Sequence, residues 1–529
     1  MKAKTRVAAV LLPLTAAGCM VGPDYKRPNV AVPARFATTQ PAATQPAKLV
    51  DLSRWWESFS DPELDSLIDR AIKSNLDLRV AENRVLESRA ERQIQTSGLF
   101  PVANGSASYS RDRFSKQGFY IPGAGGASSS SSSNSSRESR ATPPTGGTSS
   151  SSSSSNGLAS AFNRSEIDTW QGGFDASWEI DIFGGVRRSI EAARADEQSS
   201  IDARRDALVT LLAEVARNYI DLRGVQRELS IARENVKSQQ STVELTRSRF
   251  QAGLATDLDV ARAEAQVATT QAQIPGLVTS MQQAIHHLGI LLAKDPTALQ
   301  SELESSAPIP KPPPEVPVGL PSELLKRRPD IRRAERELAA ATARIGVAKS
   351  DLFPHFALTG GIGLAAGHVE DIFRTDAVYY SVGPAVNWRI FDAGRIQANI
   401  RVQNAREQEA MATYQSTVLR SLEDVENALV GYAQERERWE ALHRAVDANQ
   451  RAVDLATQLY TKGLTDFLNV LESQRNLFAS QDQLAQSEHN LASDVVALYK
   501  ALGGGWESQE PSEHEQPKSD TKESSVVRS

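Results

Sequence analysis

The sequence predicts a mostly helical chain that also carries membrane-length β-strands, built as an internal tandem duplication with four strands per chain. Three observations predict it. Apolar residues recur every seven positions over long stretches, the seam of a left-handed coiled coil. Short segments alternate apolar and polar residues with a period of two, as a strand with one apolar face does. A shift of 210 positions carries Leu229 to Trp439, Phe250 to Tyr460, Gly253 to Gly463, Val260 to Val470 and Leu288 to Leu498, laying one half on the other.

Composition narrows the function. The 529 residues carry a formal charge of −6 and no basic stripe, so nothing points to a nucleic-acid partner. A single cysteine, Cys19, excludes an internal disulfide framework and a cysteine-rich metal site. His286 and His287 have no further ligands near them in sequence and read as surface residues, so no metal or cofactor is expected.

At the amino end Lys2, Lys4 and Arg6 precede the apolar stretch Val7–Ala17 and Gly18-Cys19, the layout of an export signal over residues 1–18 and too short to span a membrane as a helix. It resembles a bacterial lipoprotein signal, which implies cleavage before Cys19 and an N-acyl, S-diacylglycerol lipid on that residue. Ala16 stands where that motif prefers Leu, and Met20 where Asp would imply retention at the inner membrane. Residues 19–60, rich in Pro and Ala, predict an extended arm.

The first helical segment, 61–98, opens on Asp61-Pro62 as cap and first turn, and Leu64, Leu67, Ile68, Ala71 and Ile72 share one face. The run reads as one helix to about Thr96, ended by Phe100-Pro101. A first β-hairpin follows over 99–183, with strands at 103–109 and 174–182 flanking a Ser-rich loop at about 123–157 that has little to bury and reads as disordered and exposed. Residues 184–306 predict a long coiled-coil helical hairpin, in which Leu222, Leu229, Val236, Val243 and Phe250 fall seven apart. Pro275 is expected to kink its second helix, where the other half has Ala485.

Residues 307–352 combine a stiff Pro-rich connector, a short segment and a helix. A second β-hairpin spans 353–392, with strands at 356–364 and 382–390, Pro384 being the misfit in the latter. A second helical hairpin spans 393–504, with seams Trp439, Val446, Val453, Tyr460 and Val470, Leu477, Leu484, Leu491, Leu498. The tail, 505–529, is polar and reads as disordered.

Beyond Cys19 no run of 18 apolar residues occurs, which leaves a lipid-tethered periplasmic protein or one that crosses the outer membrane on strands. Four membrane strands cannot close a barrel, and lipid does not tolerate two free edges, so several copies must supply one barrel of at least eight strands. The polar side of the 174–182 strand, Asp175, Glu179 and Asp181, suits water, and Trp178 and Ile182 suit lipid.

The combined motifs resemble the outer-membrane factor family, the TolC-like outer membrane efflux proteins, in its lipoprotein branch. They are GCMVGPDYKRP at 18–28, the Trp pair at 55–56, DPELDSLIDRAIKSNLDL at 61–78, WEIDIFGGVRR at 178–188, GLPSELLKRRPDIRRAE at 319–335, WRIFDAGR at 388–395 and the two duplicated turns. The resemblance covers Cys19 to about Gly504. It implies a homotrimer with a twelve-stranded outer-membrane barrel continued by a twelve-helix periplasmic barrel. It also implies passive export, powered by a proton-driven inner-membrane pump through a periplasmic adaptor, and no enzymatic step.

Site residues follow from the same resemblance. The turns at Gly253, Leu254, Thr256 and Asp257 and at Gly463, Leu464 and Thr465 are expected to be periplasmic tips that contact adaptor or pump. Glu472 matches the place of an acidic ring at the closed aperture, with Asn469 and Asp466 as further gate candidates. The alternatives are a lipid-anchored coiled-coil adaptor or structural envelope protein, which would carry a small domain between its helices, and an envelope enzyme, for which no nucleophile, base and orienting acid can be assembled.

Overall fold

The computed structural model describes residues 20–33, 35–36, 52–113, 166–313 and 321–509, so Cys19 with its leader, the Ser-rich loop and the tail after 509 lie outside the described residues. The chain divides into a sheet unit (Met1–Met20, Thr96–Val186, Asp351–Asp392) and a helical unit (Val21–Gln95, Arg187–Ser350, Ala393–Ser529).

In the helical unit, α1 (Pro62–Ser74) starts as its sequence dictates: the Asp61 carboxylate accepts from the amides of Glu63 and Leu64, and Pro62 fills the first position. Its Leu64, Leu67, Ile68 and Ala71 are fully buried. The single helix expected to Thr96 is two helices. Asn75 breaks it with an extended ψ of 133°, donating its Nδ2 to the Leu291 carbonyl and accepting the Leu78 amide, and α2 (Leu76–Ser97) restarts from that cap. The end of the expected extended arm is also folded. Trp55–Phe59 is a 3-10 turn whose Trp55, Trp56 and Phe59 are buried, with Trp55 stacked on Tyr499 at 5.1 Å.

Helix α3 (Gly185–Gln251) and α4 (Asp257–Leu291) form the first long hairpin, followed by the short α5 (Gln300–Leu303), α6 (Pro321–Arg327) and α7 (Pro329–Ser350). The 67 residues of α3 run about 100 Å at roughly 1.5 Å per residue. Helix α4 continues through Pro275 without interruption, although Pro275 leaves the carbonyl four residues earlier without its helical donor. Residues 505–509 correct the expected tail: Trp506 begins a 3-10 turn, is buried, and donates its indole N–H to the Arg327 carbonyl.

The sheet unit is an antiparallel meander of β1 (Val102–Arg113), β2 (Glu166–Ile180), β3 (His355–Ala366) and β4 (Val378–Asn387), in that spatial order. Two strands end earlier than their alternation suggested. Ile182, Trp388 and Ile390 follow the strands instead of belonging to them, because Phe353-Pro354 starts β3 at His355 and no ladder partner remains beyond Asn387. Pro384 lies within β4, opposite Leu358 of β3.

The second long hairpin, α8 (Arg395–Thr461) and α9 (Phe467–Ala501), repeats the first with equal lengths of 67 and 35 residues. Helices α2 and α7 are also equal, 22 residues each, but stand 253 positions apart where α3 and α8 stand 210 apart. Most of the 43-residue difference is the longer connection between β1 and β2, 52 residues against 11 between β3 and β4.

Candidate functional site

The sheet register sorts the strand residues onto two faces. One carries Asn104, Ser106 and Ser108 on β1, Gln171, Asp175, Ser177 and Glu179 on β2, Thr359 on β3 and Ser381 on β4. The other carries Phe174, Trp178 and Ile180 opposite Ile362, Leu358 and Phe356, which in turn face Tyr380, Pro384 and Val386. This second face is apolar and bare: Phe174 is 70% exposed, Val382 77% and Tyr380 80%. A monomer in water does not leave such a patch open, whereas lipid would cover it.

Aromatic residues bound the apolar band. Tyr109 and Trp170 meet at 4.4 Å near the β1–β2 loop end, and Trp178 lies eight residues further along β2, about 26 Å of strand at roughly 3.3 Å per residue. At that far end both repeats use one device. Trp178 donates its indole N–H to the Leu99 carbonyl at 2.9 Å, and Trp388 donates to Leu352 at 3.1 Å. Each carbonyl belongs to a Leu-Phe-Pro step, so the duplicated Leu-Phe-Pro and Trp motifs are the two halves of one contact.

Within the helical unit the turns between the long helices are also duplicated. Gly253 and Gly463 take φ of +71° and +70°, the left-handed conformation that lets each helix reverse. Leu254 donates to the Arg249 carbonyl and Gly253 to Phe250; Leu464 donates to Leu459 and Gly463 to Tyr460. These are two Schellman motifs with the same bonds, and both present an exposed Leu, Leu254 at 65% and Leu464 at 70%.

The re-entry differs between the turns. Thr256 and Asp259 form a reciprocal capping box into α4, with Asp257 exposed beside them. Asp466 caps α9 without a side-chain bond, and Asn469 donates instead to the Thr465 hydroxyl at 2.7 Å. Asp466, Asn469 and Glu472 are all exposed, and each step of three residues moves about 60° round α9. The repeat equivalent of Glu472 is Arg262, also exposed. A nearby contact that the sequence did not disclose is Arg249, which reaches from α3 to the second turn, lies 4.6 Å from the Tyr460 ring centre and donates to the Thr461 carbonyl at 2.9 Å. The Tyr460 hydroxyl is buried beside it without a hydrogen-bond partner.

A sheet with one lipid-compatible face, twice-repeated long hairpins and paired turns is an architecture for a wall. The family model for outer membrane efflux proteins matches residues 67–293 and 320–504. The chain belongs to the outer membrane efflux protein family. Nodulation protein T of Rhizobium leguminosarum bv. viciae is 32% identical over 502 residues, 95% of this chain and 94% of that protein. The pyoverdine export outer membrane protein OpmQ of Pseudomonas aeruginosa is 32% identical over 460 residues, covering 87% and 88%. The solved outer-membrane channel OprN superposes with a TM-score of 0.79 at 34% identity over 92% of this chain and all of that one. This efflux protein is thus an outer-membrane channel component of a tripartite export system. No helix among the described residues is long and apolar enough to cross a membrane.

Proposed function

We propose that three copies of this efflux protein close a twelve-stranded barrel in the outer membrane, with β4 of each copy paired to β1 of the next, and that their long hairpins form a twelve-helix periplasmic barrel around the same path. One observation carries the reading. Among the described residues β1 and β4 each pair on one side only, and the sheet they bound is apolar on one face and polar on the other. Each unpaired amide or carbonyl in lipid costs several kcal/mol, so closure by neighbours is the low-energy arrangement. The channel is passive and catalyses no reaction; a proton-driven inner-membrane pump supplies the energy, and a periplasmic adaptor docks on the exposed Leu254 and Leu464 turns. Cys19 carries the N-acyl, S-diacylglycerol lipid, and Glu472, with Asn469 and Asp466, lines the periplasmic aperture as an acidic ring that favours cations.

The test of closure is a cysteine pair, Ser106→Cys on β1 with Ser381→Cys on β4, placed in the Cys19→Ser background. Oxidation is expected to give a ladder that stops at three chains; a protein that stays monomeric in mild detergent sinks the proposal. In planar bilayers, Glu472→Ala is expected to raise leak conductance and weaken block by multivalent cations, and unchanged traces would remove Glu472 from the gate. Mass analysis of the mature Cys19→Ser protein is expected to show no acyl chains.

A further inference from the structure

Away from the strands and the turns, the helical unit holds a concave pocket of about 470 Å³ between the arm, α3, α6 and α7. Five cations line it: Arg27, Arg205, Lys326, Arg332 and Arg336. Among the described residues two carboxylates face them, Asp202 and Glu335, buried at 3% and 5% exposure. Each carboxylate is already shared. Asp202 pairs with Arg205 at 2.6 Å and Arg332 at 3.3 Å. Glu335 pairs with Arg27 at 3.1 Å and Arg336 at 2.5 Å, and accepts the Tyr25 hydroxyl at 3.2 Å. Lys326 is exposed and makes no ion pair among the described residues. Setting aside Arg205, which has a further interaction of its own, the other four cations exceed the two carboxylates by a formal surplus of two positive charges.

These cations are also held in place. The guanidinium carbons of Arg205 and Arg332 lie 4.7 Å and 5.3 Å from the Trp506 ring centre, and Arg336 lies 5.7 Å from that of Tyr25. Trp506 is itself fixed by its bond to the Arg327 carbonyl. Aromatic faces and shared carboxylates fix the guanidinium planes before any ligand arrives, so little side-chain entropy remains to be lost on binding. Gathering like charges in a concavity is unfavourable in itself and is offset when an anion enters. A single carboxylate would neutralise one of the two surplus charges, whereas a phosphate or pyrophosphate matches or exceeds the surplus and fits the planar donor fork of arginine. The volume suits a small organic anion.

We propose that this pocket is a binding site for a phosphate-bearing anion, either a soluble phosphorylated compound or the headgroup of an anionic lipid. The probe is inorganic pyrophosphate, titrated calorimetrically into the assembled protein in non-ionic detergent at constant ionic strength. One saturable site per chain is expected, with affinity falling as salt rises. Arg336→Gln is expected to weaken binding at least tenfold. Lys326→Gln, which breaks no ion pair, is expected to weaken it about threefold with unchanged thermal stability. Absence of saturable binding, or equal affinity in wild type and Lys326→Gln, overturns the proposal; the first result is also expected if an acidic segment of a neighbouring copy fills the pocket. In nanodiscs with and without phosphatidylglycerol, competition with pyrophosphate assigns the site to a lipid headgroup, and undiminished pyrophosphate affinity assigns it to a soluble phosphate.

Discussion

Helices α3 and α8 are repeats of equal length, yet they are buried to very different degrees. Along α3, 26 residues are buried; along α8, 8 are. The contrast shows at equivalent positions. Ala192, Val209 and Ile220 are buried, while their equivalents Val402, Leu419 and Val430 are 45%, 62% and 48% exposed. The apolar pattern survived duplication, but α8 leaves more of it uncovered within the chain, although its Val418, Val425 and Val453 are buried as Leu208, Val215 and Val243 are. A helix that keeps its apolar residues while leaving them bare is fitted for a second copy, so the burial contrast and the free sheet edges point to the same assembly.

The largest expected effect would break that contrast. Ile220→Ala opens a cavity in a fully buried site and should cost about 2–5 kcal/mol at any protein concentration. Val430→Ala should change the single chain by less than about 0.5 kcal/mol and act mainly on assembly. Urea denaturation at two protein concentrations, read beside the oligomer on native gels, separates the two. If Val430→Ala proved as costly to the separated chain as Ile220→Ala, the half-open reading of α8 would fail.

The ends of the shorter helices differ next. Both finish in a Schellman motif, but the left-handed position is Gly503 (φ +71°) after α9 and Ala293 (φ +52°) after α4. A side chain there costs roughly 1–2 kcal/mol. Gly503→Ala should therefore destabilise by about 2 kcal/mol, since its Cβ would also lie 2.9 Å from Arg328 Cγ. Ala293→Gly should stabilise by up to about 1 kcal/mol, the strain relief less the added chain entropy. Thermal melts of both variants check the opposite signs.

Much of this was legible in the sequence, and what was not has a physical cause. The duplication, the heptad seams and the strand faces follow from periodicity, which packing must obey. Asn75 was missed because the apolar face continues on both sides of it, and only its buried side chain, bound to the Leu291 carbonyl, shows why the helix stops. Trp388 and Ile390 mimic a strand because alternation says nothing about whether a partner strand is still present. The Arg249–Tyr460 contact joins residues 211 positions apart, and the phosphate pocket joins the arm to α3, α6 and α7, so neither leaves a local motif. For Arg328-Pro329 onward, the run RRPDIRRAERE showed the charge but not which arginines would face a common cavity.

The re-entry caps sharpen the comparison of the two turns. Thr256→Ala removes the hydroxyl half of the capping box, leaving the backbone amide of residue 256 bonded to Asp259, and should cost about 1 kcal/mol, whereas Asp466→Ala removes no side-chain bond and should cost a few tenths. Amide exchange in the first turn of α4 and of α9 measures each locally. Equal protection losses would mean that Asp466 caps in solution as Thr256 does.

The smallest effect concerns a pair that only one half possesses. His489 on α9 meets Asp221 on α3 at 2.6 Å, whereas the repeat equivalents are Thr279 and Gly431, which cannot form it. The hydrogen bond to Asp221 raises the His489 pKa, opposed by burial and assisted by the charge of Asp221, by Asn490 and by Glu228. A histidine whose folded pKa is raised contributes stability that is complete below its unfolded value, about 6.5, and is lost as pH climbs through the folded value. Glu228 and Asp494, both raised by burial, also lose stability with rising pH, so the total slope does not isolate His489. The difference between wild type and His489→Asn does. Denaturation midpoints measured from pH 5.5 to pH 9 (about one unit below to two or more above the unfolded value) should show the wild-type advantage shrinking across the upper part of that range. An advantage that stays constant with pH would mean that the His489–Asp221 contact is a neutral hydrogen bond and that α3 and α9 are held there by packing against Gly224 alone.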